Sequence, residues 1–196
     1  MKLILSEEQQ FLKDTAQSFA RDKTPTNHFR KLRDDGNAKC WDDSIWQEMV
    51  QLGWSGILVP EEFGGSDFGI AGISVIMQEL GKTLTPSPLL ATSVLGVSTI
   101  KLLGSDEQKK NYLPKIVSGE ATTAIAVDEG NHHSPFDIEA TATLENDKWI
   151  LNGQKVFIID GASADFILIV ARTSGKTGES NGLSVFIADK NSTGLE

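Results

Sequence analysis

A single cysteine, Cys40, stands in 196 residues. One thiol allows no internal disulfide and no cysteine-based zinc cluster. Basic charge is also scarce: Lys plus Arg number 18 against 27 Asp plus Glu, a formal net charge of −9. Nucleic acids and anionic membrane surfaces both require a basic stripe, so neither is an expected partner. No apolar run approaches the length that crosses a bilayer. The opening Met-Lys-Leu-Ile-Leu-Ser-Glu-Glu turns acidic after three apolar residues, too soon for a signal peptide. These absences predict a soluble, cytoplasmic protein. Repeats and low-complexity tracts are absent as well. What the chain does have is apolar material, 39% of its residues, enough to build a core. At about 150 residues per domain the length suits one large domain or two small ones.

The hydrophobic pattern changes near residue 120. Before it, apolar residues recur at helical spacing; after it they alternate or form short β-branched blocks. Ser6 and Gln9 have capping-box spacing. Phe11, Leu12, Thr15, Ala16 and Phe19 follow as one stripe, and Pro25 ends it. A second helix is predicted over 42–52, with Ile45, Trp46 and Met49 inward and Gly53 as its stop. Residues 54–69, with Pro60, Gly64, Gly65 and Gly69, read as an ordered loop. A third helix carries Ile70, Ile73, Met77 and Leu80 on one face and stops at Gly81. Ser87-Pro88 opens a largely apolar fourth helix ending at Gly104. Ser105 and Gln108 cap a fifth, which Pro114 is expected to shorten or kink.

Beyond Gly119, residues 122–127 read as a buried strand, and 138–145 alternate as a half-exposed one. Asn146-Asp147 is a turn, 149–151 are extended, and Asn152-Gly153 signals a second tight turn. Residues 156–159, 166–171 and 183–188 supply three more strands, the last two separated by a mobile loop over 173–182. The expected architecture is α+β: an N-terminal α-helical domain over 1–120, then a partial antiparallel β-sheet or barrel over 121–196. With no obvious closing element before Glu196, the β half reads as missing something on its C-terminal side.

Motifs add little by themselves. Asp128 and Glu129 are neighbours on a strand and point to opposite faces, so they do not form a shared acid–base pair. His132-His133 lacks cysteine partners and has poor metal-ligand spacing; it reads as a polar loop, with no metal site. The glycines match no phosphate-cradling turn, and the aromatics are not interleaved with basic residues. Pattern alone stops at a cytosolic α+β protein.

A series of short matches carries further. Val59-Pro60-Glu61-Glu62-Phe63-Gly64-Gly65, Glu79-Leu80-Gly81, Leu103-Gly104-Ser105 with Gln108-Lys109, Leu113-Pro114 and Ser118-Gly119-Glu120 occur in order. The series resembles the N-terminal helical domain of the acyl-CoA dehydrogenases. Leu151-Asn152-Gly153-Gln154-Lys155 and Asp160-Gly161-Ala162-Ser163-Ala164-Asp165 resemble the start of that family's middle β-domain. The resemblance implies an FAD enzyme that forms a trans-2,3 double bond in an acyl-CoA thioester. In that chemistry a carboxylate removes the α-proton and flavin N5 takes the β-hydride. It also implies a homo- or hetero-oligomer and an electron-transfer flavoprotein as electron acceptor. The family's catalytic glutamate belongs to a C-terminal helical domain outside this sequence, so no catalytic residue is assigned and the chain alone is expected to be inactive. The alternative expectation is a non-catalytic or half-site subunit that assembles with a complete partner and binds flavin weakly.

The same resemblance places the cofactor against Val127, Asp128, Phe157, Ile158 and Ile159, through backbone N–H groups at Val127, Asp128 and Ile159. Two stretches depart from the family pattern. Asp128-Glu129-Gly130 stands for Thr-Glu-Pro, and a longer His-His-Ser-Pro-Phe-Asp replaces Gly-Ser-Asp, with Ser134 as the substrate-binding position. Phe157-Ile158-Ile159 stands for Trp-Ile-Thr or Trp-Ile-Ser. Each missing hydroxyl bond removes about 0.5–1.5 kcal/mol. An ionised Asp128 beside the flavin would repel its anionic reduced form. In the helical half, the Ile70, Ile73, Met77 and Leu80 stripe reads as packing, and residues 89–95 as the candidate acyl pocket.

Overall fold

The computed structural model describes residues 4–196; the first three residues of the stretch read against a signal peptide lie outside the described residues. The chain separates into two compact units, one ending at Glu120 and the other spanning Ala121–Glu196.

The first unit is helical. α1 (Glu7–Lys23) starts at the expected capping box: Ser6 accepts from the Gln9 N–H, and the Gln9 side chain accepts from the Ser6 N–H. Ala16, Phe19 and Ala20 face inward, whereas Phe11 of the expected stripe is exposed. The sequence reading contains no counterpart of α2 (Thr26–Asp34), whose apolar inward face is only the half-buried Phe29 and Leu32, a stripe one turn long. α3 (Asp43–Gln51) is capped by Asp42 and buries Ile45, Trp46 and Met49 as expected. Phe19 meets Trp54 edge-on at 5.1 Å in the core beneath these helices.

The loop after α3 closes on itself. Pro60 precedes a 3-10 turn (Glu61–Phe63), and backbone bonds from Ser66, Asp67 and Phe68 return to Gly56, Val59 and Ile57. A Cβ on Gly65 would lie 2.0 Å from the Val59 carbonyl oxygen, so only glycine fits this approach. α4 (Ile70–Lys82) turns Ile73, Ile76, Glu79 and Leu80 inward. Ile70, assigned to its packing face, is exposed. The apolar fourth helix is divided: a π-helical segment (Leu89–Gly96) passes into α5 (Val97–Leu103). α6 (Asp106–Val117) has its Ser105–Gln108 capping box and runs through Pro114 to Val117. Burial of Leu113 and Ile116 on either side of Pro114 offsets the lost backbone bond and keeps the helix going.

The second unit is a five-stranded sheet around β4 (Phe166–Arg172). β1 (Thr123–Ala126) lies parallel to β4 from Thr123↔Phe166 to Ala126↔Ile169. β5 (Leu183–Asp189) lies antiparallel to it. β2 (Thr141–Glu145) and β3 (Lys148–Asn152) form a hairpin, and β2 meets β4 in parallel at Thr141↔Arg172. The sheet is therefore mixed rather than antiparallel. The segment between β1 and β4 is long enough to bring the chain back in its original direction, which a tight hairpin cannot do.

Asn146 and Asp147 both adopt positive φ and form the hairpin turn. Asn152-Gly153 does not turn: β3 ends there, and a Cβ on Gly153 would collide with Ala140 at 2.4 Å. Residues 156–159 are irregular rather than a strand. Only Ile158 of their apolar block packs inward, against the cluster of Ala124, Ala126, Ala164 and Ile167. Residues 173–182 are cross-braced rather than free. The buried Arg172 guanidinium donates to the carbonyls of Phe136, Ile138, Ser174, Glu179 and Asn181.

Candidate functional site

Strand β1 ends at Ala126, and the next three residues meet two other segments. The Lys155 ammonium donates to the Val127 carbonyl at 2.9 Å and to Glu129 Oε1 at 2.6 Å. Both side chains of this ion pair are largely buried, 7% exposed for Lys155 and 14% for Glu129. Glu129 also accepts from the N–H groups of Glu139 and Ala140 on the approach to β2. Burial pushes the Glu129 carboxyl up, but Lys155 and those two N–H donors outweigh it and leave the group below its ordinary range. The Val156 N–H donates to the Asp128 carbonyl at 2.8 Å. Residues 127–129 and 155–159 are thus held side by side.

Asp128 and Glu129 do point apart, to separate partners. The Asp128 carboxylate accepts from His133 Nδ1 at 3.0 and 3.1 Å and from the Ser134 N–H at 3.1 Å. The His133 hydrogen bond, followed by the Ser134 N–H, holds this carboxyl below its ordinary range despite partial burial. His133 is therefore more than a member of a polar loop: it fixes the loop to the end of β1.

The residues expected at a cofactor site take up different positions. Val127 offers its carbonyl to Lys155, and Ile158 is a packing residue. Phe157 and Ile159 are 75% and 50% exposed, with Phe157 at a φ of +54°. Ser134 touches Asp128 only through its backbone. Among the described residues, the N–H groups of Val127, Asp128, Glu129, Phe157, Ile158 and Ile159 find no acceptor in the chain. The clamp itself, Glu129 and Lys155, escaped the sequence reading because the two lie 26 residues apart in sequence. The only signal available was the Asn152-Gly153-Gln154-Lys155 match.

In the helical unit, the expected acyl-pocket stretch 89–95 belongs to the π-helical segment, where Leu89, Ala91, Thr92 and Ser93 are buried. Among the described residues, the buried Ser93 hydroxyl has no partner. A cavity of about 320 Å³ in the same unit lies elsewhere, lined by Leu12, Trp54, Ile57, Phe68 and Val117 among others.

Residues 6–120 match the model of the acyl-CoA dehydrogenase N-terminal domain, and residues 124–196 match that of the middle domain. The chain belongs to the acyl-CoA dehydrogenase family. It is 31% identical to mitochondrial isovaleryl-CoA dehydrogenase of Pongo abelii over 97% of its own length and 46% of that protein's. An acyl-CoA dehydrogenase structure from Geobacillus kaustophilus superposes with a TM-score of 0.84 at 30% identity, covering 99% of this chain and 51% of that one. An FAD complex of PigA superposes with the same TM-score at 28% identity and the same coverage. The chain spans about half the length of these relatives. Among the described residues, no helix is long and apolar enough to cross a membrane.

Proposed function

We propose that this chain is the flavin-holding part of an FAD-dependent acyl-CoA dehydrogenase, an oxidoreductase that desaturates an acyl-CoA thioester between its α and β carbons. The carrying observation is a set of unpartnered backbone N–H groups, those of Val127, Asp128 and Ile159 among them, on two segments clamped by Lys155, Glu129 and Val156. Unpaired donors on two adjoining segments suit a planar ring system rich in carbonyl and imine acceptors, as the flavin pyrimidine edge is. When bound, FAD supplies the hydride acceptor. The chain's own contribution is to present those donors, with the exposed Phe157 and Ile159 side chains offering apolar surface next to them. Ser134, beside Asp128, is assigned to the thioester substrate. The domain limits 1–120 and 121–196 are part of the same reading, as are assembly into oligomers, an electron-transfer flavoprotein partner and a cytoplasmic location.

No side chain here is assigned as the α-proton base, so the chain alone is expected to bind without turning over. Titration of FAD into the 196-residue chain tests the reading. Perturbed amide resonances at Asp128 and Ile159 support it; binding that leaves both unchanged refutes it.

A half-site subunit working with a complete partner is the second reading. It is favoured by Ile159, which supplies a backbone donor but no hydroxyl, and by the apolar Leu144, Trp149 and Ile150 exposed on the β2–β3 hairpin. Stable association with a full-length acyl-CoA dehydrogenase, measured by sedimentation, would distinguish it.

A further inference from the structure

Asp128 brings a charge to the candidate flavin edge. Its N–H is one of the free donors, and ordinary bond lengths place its carboxylate carbon within about 6 Å of any atom accepting from that N–H. The carboxylate belongs to a pair. His133 Nδ1 lies 3.0 and 3.1 Å from its two oxygens, and the Ser134 N–H lies 3.1 Å from one. A carboxylate only accepts, so Nδ1 carries the proton, while the imidazole, 72% exposed, can take a second proton from water. The other charged groups facing this corner are Lys155 and Glu129. They are joined at 2.6 Å and cancel one another. The net charge beside the free N–H is therefore decided by Asp128 and His133.

We propose that His133 is the counter-ion that sets the charge of the flavin-binding edge, so that its protonation favours reduced over oxidised flavin. The inference rests on the flavin reading above. With a neutral imidazole, Asp128 presents a full negative charge to a ring that itself becomes more negative on reduction. With an imidazolium, the pair is neutral and that opposition disappears. A bare aspartate would make reduction harder at every pH; the Asp128–His133 pair makes it harder only where histidine is neutral. His133 is thus a positioning and charge-setting residue, with no bond to flavin required of it.

The test is the reduction potential of bound FAD, measured by equilibration with a reference dye at about pH 6 and about pH 8. The proteins are the wild type, His133→Gln, Asp128→Asn and the double variant. Relative to the double variant, which carries neither charge, the wild type is expected to match at the lower pH. At the higher pH it should favour oxidised flavin by about tenfold, or about 30 mV for a two-electron couple. His133→Gln should show the higher-pH behaviour at both. Asp128→Asn should match the double variant at the higher pH and favour reduced flavin at the lower, where its imidazolium is left without a counter-charge. If His133 only ordered its loop, both redox forms would weaken together and the potential would not move, which overturns the inference. Failure to retain FAD, or unmoved Asp128 and Ile159 amides, overturns instead the flavin reading beneath it. Moved amides with a potential indifferent to His133→Gln at the lower pH leave that reading standing and sink this one.

Discussion

Lys155 and Glu129 put a buried ion pair where three segments meet, and its removal is asymmetric. Lys155→Met leaves the Glu129 carboxylate buried with only its two N–H donors, a loss of about 3–5 kcal/mol. Changing both partners to neutral residues of similar size should cost less, because no charge is stranded. Urea unfolding followed by the fluorine resonance of Trp149 in fluorotryptophan-labelled protein, resolved from those of Trp41, Trp46 and Trp54, separates the two outcomes. The acidic groups of this unit also predict its pH response. Asp128, Glu129 and Asp165 all sit below their ordinary range. For Asp165, burial acts upward and is outweighed by Lys190 and Thr122. A depressed carboxyl stabilises the fold above its unfolded value, about 4, and loses that contribution as pH falls toward its folded one. Stability should therefore hold from neutrality to about pH 4 and decline below it. Asp160 runs the other way: burial raises it, so its charge destabilises the fold at neutral pH. Because asparagine tolerates the positive φ of this position, Asp160→Asn should raise the melting temperature.

At the scale of the element, the two capping boxes are local devices, and each was legible because four consecutive residues contain it. Ser6→Ala and Ser105→Ala should each cost about 1 kcal/mol, measurable as a fall in helical-unit stability. Elements whose stability comes from elsewhere were harder to read. α2 has no fully buried side chain, and its apolar signal is confined to Phe29 and Leu32, one turn apart. Residues 156–159 looked like a strand because they are β-branched and apolar, yet Ile158 alone turns inward and the flanking Phe157 is held at positive φ. The parallel pairing of β1 with β4 depends on partners 43 residues apart, which no local window contains. The candidate site divides in the same way. Asp128 and residues 157–159 came from motif resemblance, whereas Glu129, Lys155 and His133 became significant only once distant segments were brought together.

The two units of the molecule differ in how far their contacts reach. Helical contacts begin within a few residues, while the sheet requires β1 to find β4 and Asp165 to bind Thr122 and Lys190. Long-range pairing slows folding. Refolding should accordingly show two phases, with Trp149 fluorescence confined to the slower one and helical circular dichroism largely recovered in the faster.

Arg172 adds a constraint during synthesis. Its five donors go to carbonyls at Phe136, Ile138, Ser174, Glu179 and Asn181. When residue 172 leaves the ribosome, three of those acceptors are still inside the tunnel, so the guanidinium must stay in water until they emerge. The end of β4 is then soluble and unfinished in the nascent chain, and the β4–β5 side of the sheet closes last, around a cation that has waited for its cage.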